Sequence, residues 1–262
     1  MKVNFEQPPR FSGASVTETI ERLVSADTVE DAWAIHSEAM TAYGFDRMLY
    51  GFTRFKTNSS FGSKDDMLVL STMPQAYTDR FFKDEMYRDA PLTKWARDNV
   101  GVMPWSWLAK NQNHEDKKEL EVIEFNKSFG VTAGYSISFK DALTRNKGAI
   151  ALTSSIGLEQ ADLDEIWRDF GREINVLNQV AHLKFTALPL PKSRLRLSDR
   201  QREVLEWVGD GKTMQDIAVI LGLTQATVEK HLRNAREALD VETTAQAVRK
   251  ASVQNQIFVI ET

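Results

Sequence analysis

The last quarter of the chain contains the run Thr213-Met214-Gln215-Asp216-Ile217-Ala218-Val219-Ile220-Leu221-Gly222-Leu223-Thr224-Gln225-Ala226-Thr227-Val228. Thr213 is a typical helix N-cap, and Asp216 three residues later makes a variant of the capping box. Gly222 indicates a tight turn, and Thr224 caps the helix that follows. A short helix, a glycine-containing turn and a capped second helix together predict a helix-turn-helix motif.

The flanking residues extend this pattern into a four-helix unit. Apolar residues at three- and four-residue spacing predict one helical core, with stripes such as Val228, Leu232, Ala235 and Leu239 facing inward. Ser198 is a second cap, and Gly211 is a stop signal for the helix that it begins. The predicted helices are Asp199 to about Asp210, Met214 to Leu221, Gln225 to about Leu239, and Thr244 to Gln254.

The third predicted helix carries polar side chains on its outer surface: Gln225, Thr227, Glu229, Lys230, Arg233, Asn234 and Arg236. In a helix-turn-helix motif this helix enters the major groove of DNA. Lysine and arginine pair with phosphates and guanine, glutamine and asparagine with adenine, and glutamate with cytosine. A solvated helix face is the alternative for any one of these residues, but the ordered caps, turn and apolar stripe favour DNA binding.

The C-terminal unit resembles the DNA-binding domain of the LuxR/NarL superfamily. The residues that carry this resemblance are the run from Leu197 to Thr213, then Asp216-Ile217-Ala218, Thr227-Val228 and His231-Leu232-Arg233-Asn234-Ala235. The resemblance implies that Glu229, Lys230 and Arg233 point to base edges or nearby phosphates. It also implies that Lys212 and Thr213 contact the DNA backbone. Many members have glutamate where this chain has Gln201, and we expect that difference to affect stability rather than DNA binding.

Composition limits what the rest of the chain can be. The 262 residues include no cysteine, which excludes a disulfide framework and a thiolate metal site, and the formal net charge is −4. Residues 189–262 carry +1 and residues 1–188 carry −5, so the acidity lies outside the predicted DNA-binding unit. No apolar run is long enough to span a bilayer, and no signal peptide is apparent, so we expect a cytoplasmic protein.

Pro189 and Pro191 predict the domain boundary, because two prolines at alternate positions cannot continue a helix. The predicted division is a sensor domain at 1–185, a linker at 186–196 and the helix-turn-helix domain at 197–262. In the first domain, helices are expected at 16–26, 29–43, 74–86, 115–129 and from 159, and strands at 47–55, 67–72, 132–139 and 148–154. The region between the third and fourth of these helices is expected to be irregular.

Strands flanked by helices on both sides predict an α/β/α sandwich with a mostly antiparallel sheet. Alternation along Tyr135-Ser136-Ile137-Ser138-Phe139 places Ser136 and Ser138 on one face of their strand. Two serines on an inward face suit the polar wall of a pocket. Thr153, in the neighbouring strand, is a further candidate for a polar contact.

The aromatic-rich segment Pro74 to Trp105 resembles the ligand-binding domain of acyl-homoserine-lactone-responsive LuxR regulators. Core packing is the alternative reading of these aromatics. The positions that match the family pattern, together with the strand entry around Leu49 and Gly51, are Tyr77, Phe81, Asp89, Pro91, Trp105 and Gly134. The resemblance implies a small amphiphilic signal held non-covalently, an acyl-homoserine lactone or an analogue, and no other cofactor.

Three departures from that family pattern concern the ligand. The family has tryptophan at the position of Tyr77 and tyrosine at Phe81, and each of those side chains donates a hydrogen bond to the ligand. The family aspartate that accepts the ligand amide N–H directly precedes proline, whereas here Ala90 precedes Pro91 and Asp89 comes one residue earlier. Either a local insertion returns Asp89 to the pocket, or the acceptor is lost at a cost of about 1–3 kcal/mol.

The sequence thus favours a regulator that binds a near-palindromic DNA operator as a homodimer. Its expected small-molecule partner is an autoinducer, and no membrane partner is expected. A diverged pocket leaves open a non-lactone ligand, ligand-independent action or sequestration of other LuxR-type subunits. A phosphorylatable receiver is disfavoured, because no early acidic pair follows a strand. An enzyme fused to a DNA-binding tail lacks support, since the chain has no phosphate loop, nucleophile elbow or metal-ligand spacing, and His36, His114 and His182 are isolated.

Overall fold

A five-stranded antiparallel sheet forms the centre of the N-terminal part in a computed structural model that describes residues 13–57, 60–62, 67–111, 116–188 and 197–258. The strand order is β2-β1-β5-β4-β3, and every neighbouring pair is antiparallel. The strands are β1 (Arg47–Thr53), β2 (Met67–Ser71), β3 (Gly101–Pro104), β4 (Gly134–Ser138) and β5 (Lys147–Thr153). The strands expected from the alternating pattern are all present, with ends that differ by one or two residues.

Helices cover both faces of this sheet, as an α/β/α sandwich requires. Their bounds are α1 (Gly13–Ser25), α2 (Val29–Ala42), α3 (Gln75–Lys83), α4 (Pro91–Asp98), α5 (Trp105–Asn111), α6 (Lys117–Ser128) and α7 (Gln160–Ala187). The long α7 packs on one face, where the ring of Phe185 lies 5.1 Å from that of Tyr50. On the other face, α5 is joined to β4 by the hydrogen bond from Trp105 Nε1 to Ser136 Oγ. The predicted fold class is confirmed.

The expectation of an irregular region before α6 was wrong, because this region contains α4, β3 and α5. Pro91 is the first residue of α4, a position where the missing N–H costs nothing and the fixed φ suits a helix. Pro104 ends β3, which lies at the edge of the sheet, so its lack of an N–H removes no interior hydrogen bond. Both prolines look like interruptions in the sequence, but Pro91 begins a helix and Pro104 ends a strand.

The two faces of the sheet differ in the size of their side chains. Gly51 pairs with Ala149, and Ser136 pairs with Ala151, so small residues share one face of the three central strands. The opposite face carries large residues from the same strands, among them Tyr50, Ile150 and Leu152, which are almost completely buried. The small-residue face therefore leaves more open space above the sheet than the opposite face does.

The C-terminal helices are α8 (Asp199–Gly209), α9 (Met214–Leu221), α10 (Gln225–Ala238) and α11 (Thr244–Val253). Thr213 and Thr224 cap α9 and α10 as predicted, and Gly222 has the positive φ of +65° that ends α9. Ser198 caps α8 in a complete capping box, because the Gln201 side chain accepts from Ser198 N at 2.8 Å. This bond gives Gln201 the structural role that we expected of the family glutamate.

Contacts divide the chain into two compact units. The first comprises Met1–Ala26 and Asp31–Phe185, and the second comprises Asp27–Glu30 and Thr186–Thr262. Pro189 and Pro191, on which the predicted linker depends, lie outside the described residues. None of the helices in the described part of the chain has the length and apolar character needed to cross a membrane.

Candidate functional site

A cavity of about 100 Å³ lies on the small-residue face of the sheet. Its floor is formed by β1 and β5, where Gly51, Ala149 and Ala151 leave room above the backbone. A Cβ added to Gly51 would meet no atom within 4 Å, which shows open space directly above this residue. The aromatic and aliphatic side chains that complete the wall include Phe61, Met67, Val69, Phe81, Phe82, Tyr87 and Leu92. The cavity is therefore mostly apolar, as small-molecule sites commonly are.

Four of the ten residues that we predicted to bind the ligand line this cavity: Leu49, Gly51, Phe81 and Ser136. Leu49 and Gly51 contribute to the floor from β1, Ser136 from β4, and Phe81 comes from α3. The structure thus brings together residues that are up to 87 positions apart in sequence. The other six lie around the cavity rather than in its wall.

Tyr77 belongs to an aromatic cluster between α3 and α6 and does not line the cavity. Its ring stacks on Phe81 and Phe125, with centroid distances of 5.3 and 5.1 Å. Its hydroxyl donates to Asn126 Oδ1 at 2.9 Å, and burial raises the pKa of this hydroxyl, so it stays protonated. Tyr77 packs behind the wall residue Phe81 and does not itself line the cavity in this conformation.

Trp105, Gly134 and Thr153 form the packing behind Ser136. The Trp105 indole donates to Ser136 Oγ at 3.0 Å, and both residues are buried. A Cβ on Gly134 would lie 2.3 Å from the Leu152 carbonyl oxygen and 3.0 Å from the Trp105 ring, so only glycine fits here. Thr153 is paired with Gly134 and is buried beside it. These residues position the wall of the cavity without forming it.

Asp89 is not among the residues that line the cavity in this conformation. A 3₁₀ turn at Met86–Arg88 precedes Asp89, and its carboxylate lies 3.8 Å from Lys118 Nζ at the surface. Ala90 is buried in its place, and Pro91, also buried, begins α4 without lining the cavity. Because the turn directs residue 89 outward, Asp89 cannot accept a hydrogen bond from a ligand in this conformation.

Three residues that bring hydroxyl groups to the cavity wall were missed by the reasoning from sequence. Thr53, at the end of β1, Tyr87, in the 3₁₀ turn, and Thr93, in α4, line the cavity. Strand alternation places Thr53 on the same face as Gly51, so this residue was accessible from the pattern. Tyr87 was not, because its position depends on the turn that directs Asp89 outward.

Two cations stand out on the surface of α10. Lys230 and Arg233 are exposed, and among the described residues neither has an ion-pair partner. Gln225 is exposed at the start of the helix, and Asn234 is partly exposed next to Arg233. A helix with unpaired cations and amides on its outer face is well suited to phosphates and base edges.

Other predicted DNA-binding residues have contacts within the protein. Arg236 donates to Glu229 Oε1 at 3.1 Å and to Thr244 Oγ1 at 2.9 Å, which joins α10 to α11. The hydroxyls of Thr213 and Thr227 take part in helix caps, Thr213 with Asp216 and Thr227 with Thr224. Lys212, just before the first of these caps, is exposed. The best placed cations are therefore Lys212, Lys230 and Arg233, with Arg236 held by the fold.

The described histidines of the first unit are packing residues. His36 Nε2 lies 3.0 Å from Asn178 Oδ1; the Asn178 amide already donates to Ile174 O, so the oxygen accepts from the ring. Burial lowers the pKa of His36 to about 4, against a weaker upward effect of this bond, and burial lowers that of His182 to about 4. Within the described residues no group of His, Asp and Glu could hold a metal, and His114 lies outside them.

Comparison with known families matches both parts of the chain. Residues 28–185 match the family described as "Autoinducer binding domain", and residues 195–251 match "Bacterial regulatory proteins, luxR family". The transcriptional activator protein AnoR of Acinetobacter nosocomialis is 24% identical over 236 residues, which are 88% of this chain and 95% of AnoR. The transcriptional activator protein LuxR of Aliivibrio fischeri is 25% identical over 74% of this chain and 76% of LuxR.

A solved structure supports the fold of the first unit. The N-acylhomoserine lactone dependent LuxR family transcription factor CepR2 of Burkholderia cenocepacia superposes with a TM-score of 0.50 at 19% identity. The match covers 65% of this chain and 93% of that one. With an autoinducer binding domain over residues 28–185 and a helix-turn-helix region after it, the chain belongs to the LuxR family of bacterial transcriptional regulators.

Proposed function

We propose that the cavity above Gly51, Ala149 and Ala151 is the site where this regulator binds its signal. The observation that supports this assignment is the run of small residues on one sheet face, roofed by aromatic side chains and bordered by Ser136. Small residues at the centre of a sheet lose packing energy unless something fills the space above them. A small amphiphilic molecule supplies that contact.

Signal binding acts on the protein through linkage. A ligand that binds only the folded, dimerisation-competent state stabilises it by RT ln(1 + [L]/Kd), about 2.7 kcal/mol when the ligand is at a hundred times its Kd. Two chains then present two α10 helices about one DNA turn apart to a near-palindromic operator. This mechanism uses the proposed division of the chain into a sensor at 1–185, a linker at 186–196 and a reader at 197–262. It needs no catalysis and operates in the cytoplasm.

The recognition surface that we propose for DNA consists of Lys230 and Arg233, with Lys212 on the backbone. Gln225 and Asn234 offer amides for base edges on the same helix. The sensor unit is acidic and the reader only mildly basic, so DNA binding depends on these few cations and on two copies acting together. We expect binding to weaken steeply as salt rises.

The experiment that tests the cavity assignment measures the melting temperature of the full chain with acyl-homoserine lactones of increasing chain length and with a solvent extract of the native host. At least one of these is expected to raise the melting temperature. Ala151→Leu fills the cavity from its floor and should abolish the rise, because the ligand and the new side chain compete for the same space. Ala161→Leu, on the exposed start of α7, is the matched control and should retain it.

A rise that persists in Ala151→Leu would place the ligand elsewhere and contradict the assignment. No rise with any lactone or extract, together with operator binding by the unliganded chain, would contradict ligand sensing itself. Mass spectrometry of the stabilising extract fraction then identifies the bound molecule.

A further inference from the structure

The sheet face that carries the cavity continues past it into a polar end. Along β5, the side chains of Ala151, Ala149 and Lys147 share this face, because residues two positions apart in a strand point to the same side. Ser138 of β4 is paired with Ala149 and shares the face as well. Ala149 and Ser136 line the cavity, whereas Lys147 and Ser138, two positions further along the same strands, do not. Along these two strands the cavity therefore ends where Lys147 and Ser138 begin.

Both of these side chains bond the C-terminal end of α4. Lys147 Nζ donates to the Asn99 carbonyl oxygen at 2.7 Å. Ser138 Oγ lies 2.7 Å from the same oxygen and 2.9 Å from the Ala96 carbonyl oxygen, and its one proton is shared between them. Carbonyls at the end of a helix lack partners within the helix, and a cation there is also favoured by the helix dipole. We call Lys147 and Ser138 the α4 clasp.

The helix held by the α4 clasp forms one side of the cavity. Leu92, Thr93 and Ala96 of α4 lie in the cavity wall, so the bond to the Ala96 carbonyl acts on a wall residue directly. Elsewhere on the same helix, Lys94 Nζ lies 3.0 Å from an oxygen of Asp116, at the start of α6. Because the α4 clasp comes from β4 and β5, it sets the distance between this wall and the floor of the cavity.

Lys147 is an unusual residue for this place, because only 6% of its surface is exposed. Burial lowers the pKa of Lys147, nearby Lys56 adds to this effect, and nearby Asp98 opposes it. A buried ammonium group is costly unless it is bonded and paired, and Asn99 and Asp98, both at the end of α4, supply this compensation. The ammonium group would lose both if the end of α4 moved outward, so it holds the helix end against the sheet.

We propose that Lys147 and Ser138 are positioning residues that set the longest ligand the cavity admits. The proposal rests on the cavity being the signal site. With the α4 clasp in place, the helix end stays close to the sheet and the cavity ends at Ala149 and Ser136. Without it, the end of α4 moves outward, and the space beyond Ala149 opens to a longer chain. Two residues that line no part of the cavity then determine its preference for chain length.

The test measures how the affinity of the full chain depends on ligand length. The probes are the hexanoyl, octanoyl, decanoyl, dodecanoyl and tetradecanoyl homoserine lactones, and binding is measured by calorimetry well below the melting temperature of each variant. Lys147→Met removes the ammonium group and keeps a long side chain, so the cavity is not enlarged by lost volume. We expect the preference to shift to longer chains. Since one methylene in an apolar pocket changes binding about tenfold or more, the affinity ratio of neighbouring chain lengths should change by at least about tenfold.

Lys184→Met is the matched control for this variant. Lys184 Nζ donates to the Val24 carbonyl oxygen at 2.7 Å, which is the same kind of bond in the same unit but away from α4. This control should keep the chain-length preference of the parent chain, even if its melting temperature falls. Ser138→Ala should act in the same direction as Lys147→Met, and more weakly, because Lys147 still holds the Asn99 carbonyl.

Hydrogen exchange of the unliganded chain measures the position of α4 without any ligand. In Lys147→Met, the amides at the C-terminal end of α4 should exchange faster, because this end is no longer held to the sheet. The amides of α6 should exchange at their former rate. In Lys184→Met, the exchange of α4 should stay as it is in the parent chain.

The same chain-length preference in Lys147→Met and in the parent chain would overturn the proposal, because a loss of stability alone does not change which chain fits. Unchanged exchange at the end of α4 would overturn it as well. If no lactone binds, the α4 clasp does not set an acyl-chain length and the proposal fails. A host extract that stabilises the chain, and fails to stabilise Ala151→Leu, would then show that the cavity is still the signal site. Lactone binding that persists in Ala151→Leu would instead overturn the cavity assignment and the α4 clasp with it.

Discussion

The helix-turn-helix unit and the sensor unit place their functional groups in opposite environments. In the first, Lys230 and Arg233 extend from an exposed helix face, while Val228 and Leu232 of the same helix hold the core. In the second, Ser136 lines the cavity and also accepts the buried Trp105 N–H. In the proposed sites, recognition and folding depend mainly on different residues of the reader, with Arg236 as an exception, whereas in the sensor Ser136 would serve both tasks.

The largest expected difference between the two units is in their stability at acid pH. The two histidines whose pKa values are lowered, His36 and His182, are both buried in the sensor. Burial lowers the pKa of His36 and of His182 to about 4 from the ordinary 6.5, so the unfolded chain binds more protons between these values. The stabilisation from their neutral forms is complete above about pH 6.5 and is lost as the pH falls toward 4. At pH 5 the loss is about 2 kcal/mol per histidine.

Melting of the sensor unit, followed by near-UV circular dichroism from pH 7 to 5, checks this expectation. A double variant with His36→Gln and His182→Gln should start from a lower melting temperature and lose less of it on acidification. Equal pH dependence in the variant and the parent chain would show that other groups, such as Asp141 near His182, control acid stability.

Removing a recognition cation should change DNA affinity without changing stability. We expect Lys230→Ala and Arg233→Ala each to weaken operator binding by about 1–3 kcal/mol per contact, since each loses a phosphate or base interaction. Fluorescence anisotropy at several salt concentrations measures the affinity, and the salt slope should fall by about 1 if a phosphate contact is lost.

Lys83→Ala, on the exposed end of α3, removes one positive charge from the other unit and is the matched control. Arg236→Ala should differ from both, because Arg236 bonds Glu229 and Thr244: it should lower the melting temperature as well as the affinity. If neither Lys230→Ala nor Arg233→Ala weakens binding, the recognition face has been assigned wrongly.

In the sensor, one substitution should change stability and ligand affinity together. Ser136→Ala leaves the Trp105 N–H buried without its acceptor, which should cost about 1–3 kcal/mol of unfolding free energy. The same change removes a hydroxyl from the cavity. Chemical denaturation and calorimetry with the tightest-binding probe measure the two effects.

A double variant, Trp105→Phe with Ser136→Ala, removes donor and acceptor together. Its loss of unfolding free energy should be smaller than the sum of the losses in the two single variants. Additive losses would mean that the Trp105–Ser136 bond contributes little, and the contrast between the two units would then be weaker.

The smallest effect is expected at the first cap of the reader. Gln201→Ala removes the bond that the side chain accepts from Ser198 N and should cost about 0.5–1 kcal/mol of stability. Gln201→Glu should retain the capping box, and neither variant should alter the DNA affinity of the folded protein. A loss of affinity at unchanged stability would instead place Gln201 in the DNA interface.

Most of the reader could be predicted from its sequence. Its caps, glycine stop signals and apolar stripes act within one or two helical turns, so Thr213, Gly222 and Thr224 are enough to define α9 and α10. The sensor strands β1, β2, β4 and β5 were also predicted, because their alternation is local, but β3 was not. The role of Arg236 was not, since its bond to Thr244 depends on how α11 packs against α10.

The sequence by itself determined the helix-turn-helix unit, the sandwich class and the family, because each depends on local patterns of caps, periodicity and motif spacing. Only the tertiary structure decided which side chains form the cavity. Gly51, Ala149 and Ser136 meet through strand register, and a 3₁₀ turn directs Asp89 outward while placing Tyr87 in the wall. Register and turn direction depend on contacts between distant segments, and no local pattern of residues contains them.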